Sequence, residues 1–128
     1  MNVQVQDGTE VLVGTRADFD DDGRRFVRVG VTEIGVLRHD DRFYAYENRC
    51  VHQGGPVCEG RILGKVEAVL AADKTLAGER FSERETHLIC PWHGYEYDLA
   101  TGECAADRRL RLRRYEVVEK GDEIYVVV

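Results

Sequence analysis

Proline is nearly missing from this chain, with two residues against 13 glycines in a length of 128. That balance excludes a fibrous or disordered sequence and favours a globular one rich in turns. No excess of positive charge is present either. The net charge of -6 excludes a general nucleic-acid binder, because an acidic protein repels phosphate at the distances where steering acts. A soluble protein partner suits it better. The N-terminal stretch MNVQVQDGTE lacks the basic start and apolar run of a signal peptide. Nor does any segment approach the roughly 20 apolar residues needed to cross a bilayer, so a cytoplasmic protein without a membrane partner is expected. Cysteine is scarce as well: four in a reducing compartment point to metal ligands, redox groups or buried thiols before a disulfide framework.

What is present is strand. With 43% hydrophobic and 33% charged residues, the chain can bury one modest core as a single folding unit. Runs of β-branched and aromatic residues predict strands in TEVLVG (9–14), RFVRVG (25–30), TEIGVLRH (32–39) and RFYAYEN (42–48). Further strands are predicted in THLIC (86–90), YEYDL (95–99), LRLRRYEVVE (110–119) and EIYVVV (123–128). Asp40-Asp41 and Lys120-Gly121-Asp122 supply tight turns. The fold class is therefore all-β and mostly antiparallel. Between 61 and 86, Ile62, Leu63, Val66, Val69 and Leu70 recur at helical spacing and Ala68, Ala71 and Ala72 favour helix, which predicts one short helix there. KVEAVL (65–70) is short enough to fit a strand instead.

Two cysteine–histidine pairs carry the chemistry. In CVHQGGPVC (50–58) Cys50 and His52 stand one residue apart, and in CPWHGYEYDLATGE (90–103) Cys90 and His93 stand two apart, with 37 residues between the pairs. Thiolate and imidazole ligate zinc and iron held with sulfur, and two short pairs far apart in sequence are what two facing loops supply. Gly54, Gly55 and Pro56 after one pair, and Pro91 and Gly94 within the other, give such loops their sharp, stiff turns. Two metals fit these donors: a tetrahedral zinc, or a [2Fe-2S] cluster with sulfur on one iron and nitrogen on the other. Zinc motifs usually pair like with like, whereas here each loop carries one of each and so reaches both irons. A structural zinc module for protein binding stays open as the other reading.

Framed by these two stretches, the chain resembles the Rieske iron-sulfur family over about its whole length. The resemblance implies a β base domain with a smaller cluster-binding β subdomain inserted at about 47–105. It implies one Rieske [2Fe-2S] cluster as cofactor, held by Cys50, His52, Cys90 and His93. Around these ligands it places Gln53, Gly54, Gly55 and Pro56 from the first loop, and Pro91, Trp92, Gly94, Tyr95 and Tyr97 from the second. Mixed ligation leaves the oxidised cluster formally neutral, so an added electron costs less work than on an all-cysteine anion. The potentials of the class lie at roughly -150 to +300 mV.

High-potential respiratory relatives carry a loop-bridging cysteine pair and a serine after the second His-Gly. Trp92, the Gln53-Gly54-Gly55 run and Tyr95 stand in those places, while Tyr97 keeps a phenol; a low-potential ferredoxin type is implied. Its function would be that of a soluble one-electron carrier in electron transport, from a reductase to an oxygenase-type terminal enzyme, with no catalytic site of its own. The alternative is a fixed subunit of a larger redox enzyme, resembling the small subunit of nitrite reductases.

The remaining features have plainer readings. His39 and His87 lie in or beside strands and are expected at the surface or core edge. Cys58 and Cys104 follow the two loops and are expected as free, buried thiols. Trp92 either shields the cluster or packs in the core. Leu110 and Leu112 alternate with Arg111 and Arg113, predicting a strand with one apolar and one cationic face. Ferredoxin-type relatives have fewer than half as many residues between the two pairs, so 65–84 is expected to emerge near the cluster and help set partner choice.

Overall fold

The computed structural model describes residues 2–3, 8–51, 54–70, 76–92 and 94–128. The strands among them are β1 (Asn2–Val3), β2 (Glu10–Thr15), β3 (Arg24–Val29), β4 (Thr32–His39), β5 (Arg42–Glu47), β6 (Arg61–Leu70), β7 (Leu76–Ile89), β8 (Glu96–Asp98), β9 (Arg114–Lys120) and β10 (Glu123–Val127). A seven-stranded sheet runs in the order β1-β3-β4-β5-β9-β10-β2, and a three-stranded one in the order β6-β7-β8. All pairs are antiparallel except β1 with β3. Between β4 and β5, Asp40 and Asp41 both adopt left-handed backbone, φ 51° and 66°. A two-residue hairpin turn of this twist demands that conformation, and aspartate tolerates it.

β4 explains why two layers form. Ile34, Gly35, Val36 and Leu37 are all buried, so this strand has no solvent face. Ile34 and Val36 join Val27, Ala45, Ile124 and Val126 in one core, together with Val11, Val13 and Phe19. Leu37, on the opposite face, joins Tyr46, Val57, Cys58, Leu88 and Tyr97 in a second core. The small sheet contributes Ile62, Leu88 and Tyr97, which are directly opposite one another across β6, β7 and β8 and share its inner face. Each side chain buried this fully stabilises the fold by about 1.5–3 kcal/mol over its exposed state. Gly35 lets the layers meet: a Cβ there would lie 2.4 Å from the Cβ of Cys58.

Two expectations are corrected. Among the described residues between 61 and 86 there is no helix; β6 and β7 pair as a long antiparallel hairpin, from Arg61 opposite Ile89 to Leu70 opposite Leu76. Helix propensity is a weak preference, and the β-branched Val66 and Val69 suit a ladder whose partner strand lies in a segment that helical periodicity ignores. The strand expected over 110–119 begins only at Arg114. Leu112 is buried as foreseen but Leu110 is 46% exposed, so no continuous apolar face exists there. Backbone bonds from Cys104 N to Leu110 O and from Leu112 N to Gly102 O tie this segment into a loop beside β8.

Candidate metal centre

The two motif loops are built alike. In the first, Gly54 N donates to Cys50 O and Cys50 N donates to Gly55 O, both at 2.8 Å. In the second, Gly94 N donates to Cys90 O at 3.0 Å and Cys90 N donates to Tyr95 O at 2.8 Å. Gly54 and Gly94 occupy the same left-handed position, φ 74° and 72°, which costs a residue with a Cβ and not glycine. Each loop thus turns its cysteine into the core under a tight bonded ring. Cys50 is 3% and Cys90 2% exposed, and both belong to the core between the sheets.

The loops also touch. A Cβ on Gly55 would stand 2.9 Å from the Trp92 indole and 3.1 Å from the Cys90 sulfur, so the first loop leans on the second. The Trp92 side of this contact is open, with the residue 58% exposed, so it caps the junction from outside and is not core. Val51, next to Cys50, is likewise exposed at 43%. Pro56 leads into a 3-10 turn, Val57–Glu59, that carries the chain back under β4. Tyr95 is half-buried and packs against the same core. His52, Gln53 and His93 lie outside the described residues.

Tyr97 reaches the site from β8. Its hydroxyl lies 2.9 Å from the Cys50 sulfur, and burial pushes the phenol well above its usual range, so it stays protonated and able to donate. Behind it, the fully buried Tyr46 donates to Leu99 O at 2.6 Å, fixing β5 to the chain just beyond β8. Arg24 donates to Cys58 O at 2.7 Å and to Gly60 O at 2.6 Å, clamping the turn after the first loop. Asn48 Oδ1 accepts from Cys58 N at 2.9 Å, and Asn48 Nδ2 donates to Glu33 at 2.7 Å. Sequence reasoning missed Tyr46, Arg24 and Asn48. Their partners are mostly backbone groups, which leave no mark on composition or spacing.

The other cysteines share the buried core of Cys50 and Cys90, while the other histidines lie on β4 and β7. Cys58 and Cys104 are free and fully buried, as expected. His39 sits against Asp22 at the surface. His87 is deeper than foreseen, at 2% exposure, with its ring nitrogens facing Glu85 and Glu96. Arg108 bonds the same Glu85 at 3.2 Å, and the His87 contact holds the Glu85 carboxyl below its usual range.

Two buried thiols in matched, touching loops, with a phenol on one sulfur, fit a sulfur-rich iron site. The decisive observation is broader: a family model described as the Rieske [2Fe-2S] domain matches residues 9–116. The chain belongs to the Rieske [2Fe-2S] family. Membership implies one [2Fe-2S] cluster as cofactor. This Rieske chain is 31% identical over 104 residues to ferredoxin CarAc of Metapseudomonas resinovorans, covering 80% of this chain and 78% of the relative. It is 32% identical over 95 residues to a human Rieske domain-containing protein, covering 74% of this chain but only half the length of that relative. Among solved structures, the ferredoxin of carbazole 1,9a-dioxygenase from Nocardioides aromaticivorans IC177 superposes with a TM-score of 0.65 at 28% identity, over 93% of this chain and 97% of the other. No helix among the described residues is long and apolar enough to cross a membrane.

Proposed function

We propose that this Rieske protein is a cytoplasmic one-electron carrier, a ferredoxin that receives an electron from a reductase and passes it to an oxygenase-type terminal enzyme. The matched pair of loops carries the reading. Cys50 and Cys90 are the sulfur ligands and His52 and His93 the nitrogen ligands, each loop giving one of each. The cluster-binding part spans about 47–105 and sits on the seven-stranded base. When bound, the cluster takes up and returns one electron. The protein's own residues do the rest. The Cys50 and Cys90 loops hold the thiolates in a dry core; Tyr97 donates to one of them; Trp92 and Val51 cover the rim with apolar surface that a partner can approach. The chain itself does no substrate chemistry in this reading. Support for a carrier comes from CarAc and the carbazole dioxygenase ferredoxin, both similar along most of their own length.

The test is reconstitution. Purified protein should be brown, carry two irons per chain and, when reduced, give a Rieske-type paramagnetic signal that His52→Ala and His93→Ala abolish. It should also carry electrons from an NADH-dependent ferredoxin reductase to a carbazole-type oxygenase. A colourless protein with one tightly bound zinc would reject the reading.

A further inference from the structure

We propose that Arg24 and Asn48 are positioning residues for the first cysteine loop, a side-chain clamp that does for Cys50 what strand pairing does for Cys90. The two loops are closed differently at their base. The second caps the β7–β8 ladder, in which His87 opposes Asp98, Leu88 opposes Tyr97 and Ile89 opposes Glu96, so backbone bonds hold its two ends in register. The first leaves β5 in the seven-stranded sheet and enters β6 in the three-stranded one. Those two strands do not pair with each other among the described residues, so no ladder sets the separation of the loop's ends.

Two side chains supply the closure instead. Asn48, two residues before Cys50, accepts from Cys58 N at 2.9 Å through Oδ1 and so ties the entry of the loop to its exit. Its own backbone N donates to Glu33 O at 2.8 Å and its Nδ2 to Glu33 Oε1 at 2.7 Å, which fixes both ends to β4. Arg24, on β3, takes the other side of the same cysteine: Nη1 donates to Cys58 O at 2.7 Å and to Gly60 O at 2.6 Å, while Nη2 bonds Asp22 O at 3.2 Å. These bonds carry the guanidinium charge, which makes them stronger than neutral ones. Gly60 in turn lies against the root of the second loop, because a Cβ on it would stand 1.7 Å from Ile89 O, one residue before Cys90. Arg24 therefore sets both where the first loop leaves the base sheet and how its exit abuts the second. Loops that carry metal ligands depend on such outer support to keep their donors in place.

The clamp's bearing on the cluster rests on the Rieske reading above; its hold on the loop rests on the bonds alone. Hydrogen exchange of the protein as isolated, read by mass spectrometry at single amides, tests the second directly. In Arg24→Ala and in Asn48→Ala the amides of Cys50 and Gly54 should exchange about tenfold faster or more, while those of Cys90 and Gly94 stay within about threefold of the parent. Guanidinium chloride at tens of millimolar, far below denaturing levels, should restore the protection in Arg24→Ala. With the cluster bound, the paramagnetic signal of reduced Arg24→Ala should broaden as Cys50 takes a spread of positions, and guanidinium should sharpen it again. A general loss of stability would speed both loops alike, and that result overturns the proposal, as does a first loop indifferent to both variants. If Arg24→Ala does not fold, Asn48→Ala carries the exchange test by itself. A parent without a cluster rejects the carrier reading and leaves the exchange result to decide the clamp.

Discussion

The Tyr97 hydroxyl stands 2.9 Å from the sulfur of Cys50, a residue 47 positions earlier in the chain. With Cys50 as a ligand, as proposed above, a phenol that donates to its sulfur withdraws charge from it and favours the reduced state. Tyr97→Phe deletes that donor and little else. The potential should fall by roughly 50 mV, the one-electron equivalent of about 1 kcal/mol, with the visible spectrum retained. Protein-film voltammetry measures this, and an unchanged potential would mean that the phenol does not act on the site.

Gly55 is where the loops press together. An added methyl would meet the near edge of the Trp92 ring and the Cys90 sulfur. Trp92 is exposed and can swing away; the buried Cys90 cannot. Gly55→Ala should therefore leave the fold intact but open the junction, and iron should be lost to a chelator several-fold faster, followed as bleaching of the visible bands. Loss at the parental rate would show that the contact has slack.

Gly35→Ala attacks the seam between the layers. Its methyl would overlap the Cys58 Cβ at 2.4 Å and the sulfur at 2.8 Å, and neither can retreat from a fully buried position. A loss of about 3 kcal/mol is expected, at the upper end of overpacking costs, read as a lower urea midpoint.

Cys58 should impose an alkaline limit on stability. Burial pushes its thiol up to about 12, against 9.0 for the exposed group. The unfolded chain therefore releases this proton first as the pH rises. The stabilisation is whole below about pH 9 and is lost progressively towards pH 12, by at most about 4 kcal/mol. Cys58→Ala, although weakened by its cavity, should show a flatter decline in urea midpoint from pH 8 to 11. Parallel declines would place the alkaline transition elsewhere.

How much of this was written in the chain can be judged element by element. β4, β5 and β10 were visible because alternation and turn chemistry are local, and Asp40-Asp41 marked the type of the hairpin between β4 and β5. The two loops that turn Cys50 and Cys90 into the core were visible because their glycines and prolines stand within a few residues of each cysteine. The β6–β7 hairpin was not, since KVEAVL satisfies either period and its partner strand decides between them. The exposure of Leu110 was hidden for a related reason: alternation shows which residues could share a face but not whether anything covers it.

The sequence by itself determined the β class, the turns and the two cysteine loops, because each depends on residues within a few positions of one another. Only the tertiary structure decided that the two loops would touch at Gly55 and Trp92, that Tyr97 would find the Cys50 sulfur, and that Gly35 would admit Cys58. Those relations join residues roughly twenty to fifty positions apart, and they are fixed by the packing of one layer on another, which no local pattern records.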